Sequence, residues 1–131
     1  MSVHTQYGLE FSKIVVPDWG KYPRCSNNIH TNLQFELRSI LNMSSSKEEG
    51  LVETILEETN KILAGTWNGV VEEGDNMFIT ETNEAIRLDP YDGYAYLGQE
   101  DYGWSELPKI PLTDLKAILE EWIAFRNSVY G

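Results

Sequence analysis

The residue types that most often carry catalysis are scarce in this chain of 131 residues, which has one cysteine, Cys25, and two histidines, His4 and His30. A cysteine nucleophile needs a histidine base within hydrogen-bonding distance and a third group that orients the base. Cys25 and His30 lie five residues apart in or beside a polar stretch, and no neighbouring residue supplies the third group. The sequence also lacks the GxSxG, HExxH, CxxC, GxGxxG and Walker-type patterns. We therefore expect an inert cysteine, no catalytic residue and no cofactor.

Carboxylates are the abundant reactive groups, and several stand side by side. A glycosidase uses two carboxylates in a cleft that raises the pKa of one above that of the other. A 15 kDa domain built from a small sheet and two helices offers little cleft, so we interpret the pairs as solvated faces and expect no enzyme. The pairs are Glu57–Glu58, Glu72–Glu73 and Glu120–Glu121.

The segment from Asp89 to Glu100 has the length of a calcium-binding EF-hand loop and an acid at each end. Its third and fifth positions, which should hold ligands, are Tyr91 and Gly93, and Tyr94 stands where the obligatory glycine belongs. The flanking residues are also typical of strands. We therefore expect no metal site.

Residues 88–107, LDPYDGYAYLGQEDYGWSEL, combine five carboxylates, four tyrosines and a tryptophan without one Lys or Arg. In a strand, Tyr94 and Tyr96 would share one face and the intervening small and apolar side chains the other; the pattern leaves open which face is buried. Tyr102 and Trp104 fall in a loop between acids and are hard to bury together. Exposed Tyr and Trp are enriched in interface hot spots, and carboxylates beside them attract Lys and Arg.

The net charge of −11 is unevenly distributed along the chain. Residues 1–47 carry a net charge of +2, whereas residues 48–131 carry −13. Between residues 62 and 108 the only base is Arg87, against ten acids. Such a field repels nucleic acid and anionic lipid and attracts basic proteins. Solubility alone is the alternative explanation for the charge.

The sequence therefore predicts a partner-binding surface on which acids steer a basic partner and aromatic rings anchor it. The predicted steering residues are Asp89, Asp92, Glu100, Asp101 and Glu106. The predicted anchors are Tyr91, Tyr102 and Trp104. A second candidate edge consists of Glu72, Glu73 and Asp75.

Two amphipathic helices are predicted to support this surface. The first covers about residues 46–64: Ser46 and Glu49 have capping-box spacing, apolar residues then fall on one face, and Gly65 suits a left-handed stop. The second covers about residues 113–127, with Asp114 at its positive end.

The remaining chain predicts strands. The alternation of apolar residues over 7–16 predicts a strand that ends at a proline. Residues 17–28 are rich in Pro, Gly and Asn, which predicts a loop. Residues 32–41 fit a strand or a helix, and we favour a strand over 32–38. Short strands joined by turn residues are predicted near 68–73, 76–81, 84–88 and 93–97, followed by an acid-rich loop over 98–109.

Together these elements predict one α+β domain covering residues 1–131. It contains an antiparallel sheet of about four to six strands, with a meander in its second half, and two helices packed on one face. The N-terminus does not read as a secretory signal, and no stretch approaches the ~18 apolar residues of a membrane helix. With a single cysteine, the chain fits a reducing compartment, and we expect a cytoplasmic protein.

The segment TNEAIRLDPYDGYAYLGQEDYGWSELPKIPLTDLKAILEEW, in the C-terminal half, resembles the small cytosolic immunity proteins of bacterial polymorphic-toxin and contact-dependent inhibition systems. The shared features are a tyrosine-rich hairpin, an acidic loop, an IPL sequence before the last helix and LEEW within it. The resemblance implies tight, stoichiometric binding that blocks a toxin's active site, often that of a nuclease, with no catalytic residue to assign.

Two alternatives to an immunity protein stay open from the sequence. One is a nucleic-acid mimic of the anti-restriction or anti-CRISPR type, in which spaced carboxylates replace phosphates. The other is a generic acidic interaction domain. The partner's identity and the oligomeric state are not encoded in any pattern that we recognise.

Overall fold

The computed structural model describes residues 2–46, 50–79, 84–99 and 106–131 of the chain, which adopts the predicted α+β class. The elements follow one another in two groups: a short helix, a hairpin and two helices, then a 3-10 turn, a four-stranded meander and one long helix. The first group is α1 (Val3–Gln6), β1 (Leu9–Val16), β2 (Gly20–Asn27), α2 (Asn32–Met43) and α3 (Leu51–Ala64). The second is a 3-10 turn (Val71–Glu73), β3 (Met77–Ile79), β4 (Glu84–Leu88), β5 (Tyr94–Gln99), β6 (Lys109–Pro111) and α4 (Leu112–Tyr130).

The strands form two antiparallel sheets. β1 and β2 make a two-stranded hairpin, and the other strands make the four-stranded sheet β3-β4-β5-β6, in which every strand pairs with its neighbour in sequence. The predicted meander is therefore confirmed. Across β4, β5 and β6, the row Leu88–Ala95–Ile110 faces the core and is fully buried. Because side chains alternate along a strand, the next row points to the opposite face of the sheet.

Helix α4 is the centre of the packing, since it contacts α3 and strands of both sheets. Its Trp122 is fully buried, and the indole Nε1 donates a hydrogen bond of 3.2 Å to the carbonyl oxygen of Ser44. The Ser44 hydroxyl in turn accepts a hydrogen bond from the Val52 amide at 3.1 Å. One buried residue between α2 and α3 thus positions the first turn of α3 and the middle of α4.

A partly buried ion pair also joins α3 to α4. The guanidinium of Arg126 is 2% exposed and donates hydrogen bonds to both carboxylate oxygens of Glu53, at 3.1 and 2.5 Å. Burial alone would raise the pKa of Glu53, but these hydrogen bonds and the positive charge of Arg126 outweigh it and lower the pKa below its usual value. The pair therefore depends on Glu53 being ionised.

Residues 32–38 form the start of α2, so the predicted strand over this segment is wrong. The buried residues Gln34, Leu37 and Leu41 recur every three to four positions, which places them on one helical face. Phe35, which the strand reading would have buried, is 37% exposed. The segment is helical because a helix buries its leucines against β2 and β5.

Three other predicted segments differ from the structure. Residues 20–27 form strand β2 and not a loop. They pair with β1 along their whole length, and the side chains of Pro23 and Cys25 are buried. Residues 68–73 contain the 3-10 turn instead of a strand, ended by Gly74 at φ 76°. The predicted acid-rich loop over 98–109 is strand at both ends, since β5 extends to Gln99 and β6 begins at Lys109.

The two predicted helices are present with shifted ends. α3 begins five residues after Ser46, with Gly50 as its N-cap, and Glu49 lies outside the described residues. Gly65 ends it in the left-handed conformation, at φ 75°, as predicted. α4 extends to Tyr130, with Asp114 in its first turn. Among the described residues, no helix combines the length and the apolar character that crossing a bilayer requires.

Candidate functional site

The turn between β4 and β5 is held together by the carboxylate of Asp89. Its Oδ1 accepts hydrogen bonds from the backbone amides of Tyr91 (2.8 Å) and Asp92 (3.2 Å). The Asp89 amide donates to the carbonyl of Tyr94 at 2.9 Å, and Gly93 takes the left-handed conformation at φ 79°. Asp89 therefore acts first as the structural centre of the turn, in the Asx arrangement typical of aspartate.

Asp92 continues the same network. One carboxylate oxygen accepts a hydrogen bond of 2.9 Å from the Tyr94 amide, and the other accepts one of 2.5 Å from the Tyr96 hydroxyl. The hydrogen bond to Asp92, with burial second, raises the pKa of Tyr96. Between these two acids, the side chain of Tyr91 is 82% exposed. The result is a rigid turn that presents one aromatic ring to solvent.

The second candidate edge lies at the same end of the sheet as this turn. The buried Asn76 donates a side-chain hydrogen bond of 2.6 Å to the Leu88 carbonyl, and the Leu88 amide donates one of 2.9 Å to the Asn76 carbonyl. The residue before Asn76 is Asp75 and the residue after Leu88 is Asp89. Glu72 and Glu73, in the 3-10 turn that precedes Asp75, are exposed.

Helix α4 adds a further carboxylate at this place. The Leu112 amide donates a hydrogen bond of 2.9 Å to the Gly93 carbonyl, which joins the first turn of α4 to the β4–β5 turn. In that first turn, Asp114 accepts a hydrogen bond of 2.6 Å from the Tyr7 hydroxyl. Burial, with this hydrogen bond second, raises the pKa of Tyr7 far above its usual value.

We call this region the acidic end of the sheet. Its carboxylates come from three separate parts of the sequence, and the exposed ring of Tyr91 stands among them. Arg87 offsets part of the charge, with its guanidinium 3.7 Å from Asp89. The acidic end consists of Glu72, Glu73, Asp75, Asp89, Tyr91, Asp92 and Asp114.

Glu106 does not belong to the acidic end, although the sequence grouped it with Asp89 and Asp92. Strand β5 starts beside the acidic end and runs its six residues to the opposite end of the sheet, on the order of 20 Å away. Glu106 precedes β6 at that far end, where it lines a shallow depression of about 290 Å³ with Asn32, Leu107 and Pro108. The other predicted site residues, Glu100, Asp101, Tyr102 and Trp104, lie outside the described residues.

Ala95 and Leu97 are fully buried on the inner face of the sheet, so the tyrosines of β5 lie on the opposite face, where Tyr94 is partly exposed and Tyr96 is only 9% exposed. Each of the two rings already has a cation of this chain over it. The Arg87 guanidinium lies 4.9 Å from the Tyr96 ring centroid, and Lys109 Nζ lies 4.4 Å from that of Tyr94. These rings are therefore less available to a partner's guanidinium than Tyr91 is.

Cys25 has the properties of a core residue. It is fully buried, and burial raises the pKa of its thiol to about 12, so that it is not a thiolate at neutral pH. His30 is exposed and its ring lies 6.2 Å from that of Phe35. In the described part of the chain, no three His, Cys, Asp or Glu residues are grouped so as to hold a metal ion.

One prominent surface was not predicted from the sequence. The tip of the β1–β2 hairpin carries Trp19, which is 88% exposed, and Val15, which is 65% exposed. A short Asp-Trp-Gly connection after an alternating strand is a hairpin signal, but Pro23 in the following segment favoured the loop interpretation. Comparisons with protein-family models, with curated proteins and with solved structures give no match to this chain.

Proposed function

We propose that this chain is a non-catalytic binding protein that neutralises a basic protein toxin of the nuclease class by covering the toxin's active site with the acidic end. The observation that carries this proposal is the pairing of Asn76 with Leu88, which brings acids from separate sequence segments to one place beside Tyr91. A nuclease that holds phosphate groups needs a basic active site. An acidic, aromatic surface is complementary to such a site.

The magnitude of the electrostatic effect favours a close, specific contact. At physiological salt the screening length is about 8 Å, so the charges of the acidic end act on a partner only near contact. Within that range, a field of one sign can raise association rates by about ten- to a thousandfold. Asp89 and Asp92 are already fixed by hydrogen bonds to backbone amides, so the partner meets a preorganised surface.

Tyr91 is the residue best placed to anchor a partner. The amide of Tyr91 and those of its two neighbouring turn positions, Asp92 and Tyr94, are all hydrogen-bonded, whereas its ring is 82% exposed. A stiff aromatic ring on an ordered backbone loses little entropy on binding, because the backbone is already in place. Tyr is also among the residue types most enriched in interface hot spots.

The resemblance of the C-terminal half to bacterial immunity proteins supports the same class of function. It covers the β4–β5 hairpin, which forms the centre of the acidic end, and the start of α4, which adds Asp114. Under this proposal the chain binds its toxin in a fixed 1:1 complex, and no residue performs chemistry.

The proposal predicts that the gene directly upstream encodes a toxin with a basic nuclease domain, and titration calorimetry with that domain tests the binding. The expected result is saturable 1:1 binding with loss of the toxin's nuclease activity. Absence of binding would overturn the proposal. Equally tight binding of unrelated basic nucleases would instead indicate a nucleic-acid mimic, since an immunity protein should bind its own toxin far more tightly than any other.

A further inference from the structure

The outer half of the β1–β2 hairpin buries Pro23 but exposes several apolar side chains. We call residues 13–24 the hairpin arm. Within it, Val15 is 65%, Trp19 88% and Tyr22 39% exposed. Val15 and Tyr22 point to opposite faces of the hairpin, because Val15 pairs with Lys21 and Tyr22 with Ile14, so the exposed apolar surface is centred on Trp19 at the tip. Trp19 in particular contributes nothing to the core.

The turn at the tip of the hairpin arm is ordered by its backbone. The Trp19 amide donates a hydrogen bond of 3.0 Å to the Val16 carbonyl. Asp18 takes the left-handed conformation at φ 68°, which aspartate tolerates better than most residues, and Gly20 follows at φ 109°. This turn holds the indole at the most distant point of the hairpin.

The charge of the hairpin arm is opposite to that of the acidic end. Lys13, Lys21 and Arg24 are exposed, and Asp18 is the one acid among residues 13–24. In the part of the chain that the structure describes, none of these three bases forms an ion pair. The hairpin arm is therefore a cationic, apolar element on a strongly anionic molecule.

The hairpin arm cannot reach the acidic end of its own chain. β1 begins near the acidic end, where Tyr7 bonds Asp114, and then passes Trp122 further along α4, with the Phe11 and Trp122 rings 5.1 Å apart. It continues in the same direction for five more residues to Val16. The tip thus lies on the order of 20 Å from the acidic end.

We propose that the hairpin arm of one copy docks on the acidic end of a second copy, with Trp19 against the exposed ring of Tyr91 and the arm's bases against Glu72 and Glu73. This inference rests on the proposed function, because it uses the same acidic end. It adds that the hairpin arm of another copy binds there when no toxin does. The contact is head-to-tail, so each copy keeps one free arm and one free acidic end, and repeated docking builds rings or open chains. A basic toxin at the acidic end would displace the arm.

Sedimentation velocity of the full chain at about 20 mM and about 300 mM NaCl tests this inference, because screening acts on the charge pairs. We expect association at low salt that is at least about tenfold weaker at high salt. The variant Trp19→Ser should be monomeric with an unchanged unfolding midpoint, since the indole is almost fully exposed. A wild-type chain that stays monomeric at low salt would overturn the inference.

A charge swap identifies the docking surfaces. Lys13→Glu with Lys21→Glu, two exposed bases on the same face of the hairpin, should abolish association, and so should Glu72→Lys with Glu73→Lys. An equimolar mixture of these two double variants should associate again, because the exchanged charges are complementary once more. If either double variant alone still associates like the wild type, or if the mixture stays monomeric, the assignment of the arm to the acidic end is wrong.

The failure of this inference can be told apart from failure of the proposed function by adding a poly-lysine peptide as a cationic probe. If copies stay monomeric but the acidic end binds poly-lysine and the toxin domain, only the docking of the arm is refuted. If copies associate through the swapped charges but the toxin domain does not bind, the proposed function is refuted and the docking of the arm stands.

Discussion

Asn76, which is buried, exchanges two hydrogen bonds with Leu88. Its side-chain amide donates to the Leu88 carbonyl at 2.6 Å, and its backbone carbonyl accepts from the Leu88 amide at 2.9 Å. This pairing lies just before β3 and at the end of β4, so it fixes the segment that carries Asp75 against the turn that carries Asp89. Two groups of acids that are more than ten residues apart in sequence thereby become one surface. The acidic end is a product of this contact.

Replacing Asn76 with Ala should lower the free energy of unfolding by about 1–3 kcal/mol, because the buried carbonyl of Leu88 loses the hydrogen bond that the Asn76 side chain donates. Urea unfolding followed by circular dichroism measures the change. The matched control is Asn68→Ala, at an exposed position, which should change stability by less than about 0.5 kcal/mol. Equal effects of the two substitutions would show that Asn76 does not hold the edge in place.

The ion pair between Glu53 and Arg126 predicts acid sensitivity. Because the folded-state pKa of Glu53 is lowered, its contribution to stability is fully present above the unfolded-state pKa of about 4.3 and is lost as the pH falls through the folded-state value. Glu121, whose pKa is lowered chiefly by the amide and ring of His4 against the opposing effect of burial, acts in the same direction. Urea unfolding between about pH 7 and pH 3 should show this decline.

The variant Glu53→Gln separates the ion pair from the other carboxylates. At neutral pH it should cost about 3 kcal/mol, because it leaves the buried guanidinium of Arg126 without its counter-charge. The decline of stability below pH 5 should be shallower in the variant than in the wild type. An unchanged slope would mean that Glu53 does not titrate with folding.

The buried thiol of Cys25 predicts slow chemical modification. With its pKa raised to about 12, the thiolate fraction at neutral pH falls about a thousandfold below that of an ordinary cysteine. Ellman's reagent should therefore label the native chain at least about a hundredfold more slowly than the chain in denaturant. Labelling at equal rates would place the thiol at the surface and reopen nucleophilic chemistry.

The sequence predicts those elements whose pattern has one meaning. The meander over β4 and β5 and the helices α3 and α4 carry clear alternation or a clear apolar stripe. The strand prediction for residues 32–38 was wrong because the pattern fits two structures. Leu33, Phe35 and Leu37 alternate as in a strand, whereas Leu37 and Leu41 fit a helix, and only tertiary packing decides between strand and helix. β2 was missed because Pro23 is tolerated in an edge strand of a hairpin, which the local sequence does not reveal.

The sequence predicts the residue types of the candidate site but not which residues the fold brings together there. Runs of acids and tyrosines are visible in the sequence, and Asp89, Tyr91 and Asp92 do share one turn. The sequence cannot show that a strand of six residues carries Glu106 to the other end of the sheet. It equally cannot show that a pairing at Asn76 brings Asp75 to the turn, because that contact is formed only in the tertiary structure.

The exposed position of Tyr91 predicts that its ring contributes to toxin binding but not to the stability of the fold. Tyr91→Ala should weaken toxin binding at least about thirtyfold, mainly through faster dissociation, because an exposed aromatic anchor is lost. The unfolding midpoint should stay the same, as the ring packs against little of its own chain. Tyr91→Phe should keep most of the affinity; surface plasmon resonance on the three proteins compares the rates. An affinity of Tyr91→Ala equal to that of the wild type would exclude the turn as the anchor.

The most direct test of the central claim is the rate at which the toxin domain associates with a charge-reversed acidic end, measured by stopped flow at about 20 mM and about 300 mM NaCl. Glu72→Lys with Glu73→Lys changes two exposed side chains that form no hydrogen bond within the described residues. The control, Glu57→Lys with Glu120→Lys, makes the same change in net charge at exposed positions on α3 and α4. We predict association at least about tenfold slower for the first pair at low salt, with the difference largely gone at high salt and the control close to the wild type. Equal rates for both pairs would contradict the claim that the acidic end guides the partner.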